Sequence, residues 1–125
     1  VTAFAKTIRS AFALFAAVAS LAAPHTARAA EPGPMQQGEQ VFMRWCTYCH
    51  APVSATHPRL PGTFALEAKY KGSLPAAIEQ RTDFTPEFVS ATVRTGVNSM
   101  PGFRKTEISD TELRSLAAWL SRDPK

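Results

Sequence analysis

Cys46-Thr47-Tyr48-Cys49-His50 decides how this chain is read. Two cysteines three positions apart fall on one side of a helical turn, and a histidine follows directly. This is the C-x-x-C-H pattern of covalent haem attachment. The two sulfurs can add to the haem vinyl groups, and His50 can offer an imidazole nitrogen to the iron from beneath the porphyrin. The chain has 2 cysteines, so the motif accounts for all of them.

Two other chemistries compete for the same five residues. A zinc site usually needs four protein ligands, and only His25 and His57 remain outside the motif. A redox-active dithiol is the stronger rival, because Trp45-Cys46-Thr47-Tyr48-Cys49 also matches a thioredoxin-like disulfide oxidoreductase. That reading requires a strand just upstream and a βαβ framework around it. Upstream stand Pro32-Gly33-Pro34 and the polar run Gln36 to Gln40, with no apolar strand. Haem is the favoured reading.

Residues 1–29 read as a cleavable signal peptide. Lys6 and Arg9 give a positive start, Ala11 to Ala23 is apolar and uncharged, and Ala27-Arg28-Ala29 offers small residues for cleavage. The apolar stretch falls short of the roughly 20 residues that span a bilayer. A retained membrane anchor is the alternative. Cleavage would leave a bacterial periplasmic protein starting near Ala30, with no membrane span. It would also change the charge: without Lys6, Arg9 and Arg28, the 14 basic side chains become 11, against 10 acids. The formal +4 of the whole chain is therefore no argument for nucleic-acid binding, and no basic cluster with interleaved aromatics is present.

The remainder is one small domain, expected over 38–122 after a flexible lead at 30–37. Chains this small bury little surface and often need a staple, which a covalent porphyrin would provide. A first helix is expected from Gly38 to Cys49, with Val41, Phe42, Trp45 and Cys46 on one face. Pro52, Pro58 and Pro61 make Ala51 to Gly62 a loop. Short helical pieces follow at Phe64 to Tyr70 and Pro75 to Gln80. The next helix is well punctuated by Thr85 as N-cap, Pro86 at its first position and Gly96 at its end. Ser109-Asp110-Thr111-Glu112 is a capping box for the last helix, with Ile108 and Leu113 placed as a staple. No segment alternates like a strand, so the fold class is all-α, four to five helices around one haem. Gly38 either lets the first helix approach the last near Leu116 to Leu120, with Trp119 covering the seam, or simply marks a helix start.

A low-spin haem needs a second axial ligand. Met35 lies in the lead, Met43 one turn before Cys46, and His57 close after His50 on the proximal side. Met100 remains, in Asn98-Ser99-Met100-Pro101-Gly102-Phe103, a loop that can bring a thioether to the iron. His/Met ligation raises the potential and closes the iron to small molecules, which favours electron transfer over oxygen chemistry. A ligating histidine usually gives its other N–H to a fixed acceptor. The Pro58 carbonyl is the best-placed candidate, unless Pro58 belongs to a plain surface turn.

Taken together, Cys46 to His50, Pro58-Arg59-Leu60 and Met100-Pro101 with a closing amphipathic helix resemble the class I c-type cytochromes over Gly38 to Arg122. The resemblance implies crossed first and last helices, haem c on Cys46 and Cys49, axial His50 and Met100, and Pro58 orienting His50. His57 stands where that family usually has glycine. Pro61-Gly62-Thr63, Arg81-Thr82-Asp83 with Thr85-Pro86, and Phe103 to Asp110 are similar to cytochrome subunits of p-cresol methylhydroxylase-like flavocytochromes. That likeness implies a non-catalytic subunit. It would take electrons from a flavoprotein dehydrogenase acting on 4-alkylphenols and pass them to a downstream acceptor. A free respiratory shuttle is the alternative. The subunit predicts an apolar docking patch around Ala51, Met100, Pro101 and Phe103, whereas the shuttle predicts a ring of charge.

Overall fold

The computed structural model describes residues 30–56 and 58–123. The signal-peptide reading of 1–29, and His25 and His57 with it, lie outside the described residues. Within them the order is α1 (Pro34–Trp45), α2 (Thr47–His50), α3 (Pro61–Tyr70), a 3-10 turn (Ile78–Gln80), α4 (Pro86–Thr95) and α5 (Asp110–Leu120). The all-α expectation holds. The sole β pairing among the described residues is an isolated bridge between Val97 and Met100.

Two helices begin earlier than their patterns suggested, and a proline explains each. Pro34 opens α1 within its first turn, and Gln37 N–H closes that turn on the Gly33 carbonyl at 2.9 Å. Met35 accordingly lies in a helix rather than in a loose lead. Pro61 does the same for α3, whose preceding Leu60 is extended, the conformation a following proline favours.

The long first helix is split instead at Cys46. Hydrogen bonds run on through the break, with Cys46 N–H to the Phe42 carbonyl and His50 N–H to the Cys46 carbonyl, both 2.9 Å. Thr47 Oγ1 donates to the Met43 carbonyl at 2.8 Å, a side-chain back-bond of the kind that bends helices.

The core forms where α1 crosses α5. Phe42, Ile108 and Leu116 are its fully buried large side chains. Phe42 meets Trp119 with ring centroids 4.8 Å apart. Gly38 is the point of closest approach: a Cβ there would sit 2.2 Å from the Ser115 carbonyl oxygen and 2.6 Å from Trp119 Cβ. The packing role proposed for this glycine is therefore the one observed. Beside it, Ser115 Oγ donates to Gln37 Oε1 at 2.7 Å.

α4 packs on α5 through Val89 and Val93. Thr85 Oγ1 accepts from Phe88 N–H at 3.2 Å, as an N-cap should. The capping box of α5 is complete, with Glu112 N–H reaching Ser109 Oγ at 3.2 Å and Ser109 N–H reaching Glu112 Oε2 at 2.8 Å. The irregular stretch after α3 is held by Arg81, which is buried. Its guanidinium lies 4.6 Å from the Tyr70 ring centroid and 4.7 Å from that of Phe84, and it forks onto Asp83.

Candidate functional site

The five motif residues straddle the α1–α2 break. Cys49 N–H donates to the Cys46 carbonyl at 3.1 Å, which closes the turn between the two cysteines. Cys46 is buried in the core, Cys49 is exposed and His50 lies between these extremes. Burial, then the neighbouring Cys49, pushes the Cys46 thiol up to about 12. A redox-active dithiol needs a thiol lowered towards a reactive thiolate, so this shift runs against that rival. The absence of a βαβ framework among the described residues removes its other requirement.

Burial holds His50 below the ordinary histidine range, so its imidazole stays neutral with a lone pair to give. Its Nδ1 is buried and has no hydrogen-bond partner among the described residues. Pro58 is exposed, and the wall beside the ring is Gly62, brought there by the early start of α3. A Cβ on Gly62 would lie 2.5 Å from His50 Cε1 and 2.7 Å from Nδ1. Thr63, itself buried, donates through Oγ1 to the Ala51 carbonyl at 2.8 Å, with the Cys49 carbonyl at 3.3 Å. Neither residue was singled out as a site residue from sequence. No local pattern marks a glycine whose space is filled by a residue 12 positions earlier.

Met100 is half-buried and packs against the core cluster that includes Cys46. Its loop is tightly built. Val97 and Met100 exchange both backbone hydrogen bonds, at 3.0 and 2.9 Å, around a turn in which Asn98 takes a left-handed φ of 52°. Phe103 N–H then returns to the Val93 carbonyl at 2.8 Å. Arg94 ties the same loop down, Nη1 to the Phe103 carbonyl at 3.0 Å and Nη2 to Asp110 Oδ1 at 2.9 Å. One aromatic contact joins this loop to the cysteine motif: Phe103 meets Trp45 edge-on, centroids 5.8 Å apart.

These features fit a haem. The donor set comprises two thiols one helical turn apart, a neutral imidazole with an orphaned nitrogen and a glycine cradle at its ring, and a thioether packed on the same core. No group of three or more His, Cys, Asp or Glu that could hold a metal ion occurs among the described residues.

Residues 33–120 match the family profile of cytochrome c oxidase, cbb3-type, subunit III. The chain belongs to this family of c-type cytochrome domains. The family fold is the class I cytochrome c architecture expected from the motifs, and it carries covalently bound haem c for electron transfer. Comparisons with curated proteins and with solved structures gave no match. No helix among the described residues is long and apolar enough to cross a membrane.

Proposed function

We propose that this chain is a periplasmic electron-transfer protein with a single haem c, attached through Cys46 and Cys49 and ligated by His50 and Met100. The bound haem supplies a one-electron couple between ferric and ferrous iron. The chain's own residues do the rest. Cys46 and Cys49 hold the group, and His50 meets it as a neutral base. The Val97–Met100 turn and its Arg94 anchor keep the thioether loop from straying. The core around Phe42 and Leu116 excludes water from one side. The Cys46–Cys49 turn, with Cys46 buried in that core and His50 seated against Gly62, is the observation that carries the reading.

We further propose that the electron donor is a flavoprotein dehydrogenase of the 4-alkylphenol type, docked through an apolar surface, with a separate protein as downstream acceptor. Arg104 and Lys105, the charges beside the Met100 loop, are paired within their own segment, to Glu107 at 3.5 Å and Asp110 at 2.7 Å. Internal pairing leaves little field for long-range steering. Exposed Val53 after His50 and Val97 before Met100 give those loops an apolar character, and Tyr48 is exposed on α2 beside them. Purification from the native host should yield a flavin that co-elutes with the haem through high salt. A haem-only monomer would sink the flavoprotein partner. The matched family's own name, an oxidase subunit, supports a second reading in which the chain serves a respiratory chain, and that outcome would favour it.

A further inference from the structure

We propose that Gly62 and Thr63, in the first turn of α3, set the angle at which the His50 imidazole meets the haem iron. The inference rests on the haem-ligand reading of His50. It adds two residues of α3 to the positioning role expected of the Pro58 carbonyl.

The backbone comes first. α2 is a single short turn, and carbonyls at its end have no intrahelical donor. Thr63 is 3 % exposed and its hydroxyl points at two carbonyls, those of Cys49 and Ala51. A hydroxyl has one proton to give, so the stronger bond goes to Ala51 at 2.8 Å and the longer approach to Cys49 at 3.3 Å is shared. Those carbonyls flank His50 on both sides. The hydroxyl thus ties the 49–50 and 51–52 peptide units to α3.

The ring comes second. The hypothetical Cβ distances at Gly62, 2.5 Å to Cε1 and 2.7 Å to Nδ1, are far inside van der Waals contact. Gly62 does not have a positive φ, unlike Gly72 and Gly96, so glycine serves here for space and not for conformation. Gly62 therefore forms a steric wall against the edge of the ring that carries Nδ1 and Cε1. Any side chain at position 62 must turn the imidazole or push α3 away.

The angle has a direct spectroscopic readout. In a ferric low-spin haem with His/Met ligation, the imidazole plane and the orientation of the thioether together determine how unpaired spin is distributed over the porphyrin, so with the Met100 loop unchanged a turned imidazole shifts the ring-methyl proton resonances. The experiment compares haem-loaded full-length wild type with Gly62→Ala, Thr63→Val and Thr63→Ser by proton NMR of the oxidised proteins. Gly62→Ala and Thr63→Val should change the order and spread of the haem methyl resonances, and Thr63→Ser, which keeps the hydroxyl, should restore the wild-type pattern. Loaded Gly62→Ala and Thr63→Val proteins with the wild-type order would overturn the proposal. So would a Thr63→Val protein that melts earlier while its methyl pattern stays put, since that is a structural role alone. Should Gly62→Ala fail to load haem, the Thr63→Val and Thr63→Ser pair decides by itself. A wild type that shows no haem resonances at all would sink the haem reading instead, which is a separate outcome.

Discussion

The loop carrying Met100 and the loop following His50 are both irregular, proline-bearing and mostly exposed, yet they are held in different ways. Between Gly96 and Ser109 the chain secures itself at short intervals. The Val97–Met100 bridge, the Phe103 return to Val93 and the Arg94 clamp come in sequence, then Glu107 and Ile108 N–H groups close on the Arg104 carbonyl, both at 3.0 Å. Between Ala51 and Leu60 the described bonds are a Ser54–Thr56 hydroxyl pair at 3.1 Å and two links to α3 at the ends, where Ala51 accepts from Thr63 and Leu60 accepts from Phe64 N–H at 2.8 Å. One loop is fastened to itself and to α4 by backbone bonds along its length, and the other is fastened at both ends to α3. Order around a ligand can therefore come from the loop that bears it or from the element packed behind it.

The most drastic way to sharpen this contrast is to remove the covalent link on the His50 side. Cys46→Ser with Cys49→Ser should lose covalent haem completely, seen as an absence of haem staining on a denaturing gel. Persistent staining would refute the attachment sites. On the other side, Met100→Ala should abolish the sulfur-to-iron charge-transfer band of the oxidised protein in the near infrared. A band that survives would move the ligand away from the Met100 loop.

A smaller, structural effect is expected from Gly96→Ala. Gly96 has a φ of 71°, and a Cβ would lie 2.5 Å from the Met100 carbonyl oxygen. Alanine at such a φ costs more than about 1 kcal/mol, which urea titration resolves. Gly33→Ala, with nothing within 4 Å, should stay within about 0.5 kcal/mol. Equal effects at the two sites would mean that the Met100 loop is less rigid than its hydrogen bonds imply.

The mildest change concerns acid. Lys105 and then Arg94 hold the Asp110 carboxyl below its usual range. A carboxylate depressed in the folded state stabilises fully above its unfolded pKa of about 3.9, and that contribution is lost as pH falls through the folded value. The melting midpoint should hold from neutral pH to about 5 and drop below the unfolded value. Asp110→Asn should shrink that drop slightly, and an unchanged pH profile would show the pair to be idle.

These differences also mark what could be read in advance. The helix caps at Thr85 and Ser109, the seam at Gly38 and the all-α class were legible because each depends on neighbours in sequence or on helical periodicity. Pro34 and Pro61 sit in first helical turns, and in sequence a proline marks the start of a helix and a break in structure alike. The Val97–Met100 turn left a trace in Asn98, a residue tolerant of left-handed backbone. Gly62, Thr63 and Arg94 left none, because their partners are set by packing between elements.

The crossing of α1 and α5 has a consequence for how the domain comes to exist. Gln37 and Ser115, bonded across the seam, are separated by 78 positions. Closing a loop of that size costs on the order of 4 kcal/mol of chain entropy before any constant term. Phe42 and Gly38 therefore wait for the last described helix to be synthesised, and the domain behaves as a ring whose clasp is made at the end. Truncation before Leu113 leaves that clasp open and the cysteine-bearing helix unsupported. A circular permutant that joins the neighbourhoods of Pro34 and Leu120 would turn this late, long-range closure into an early, local one.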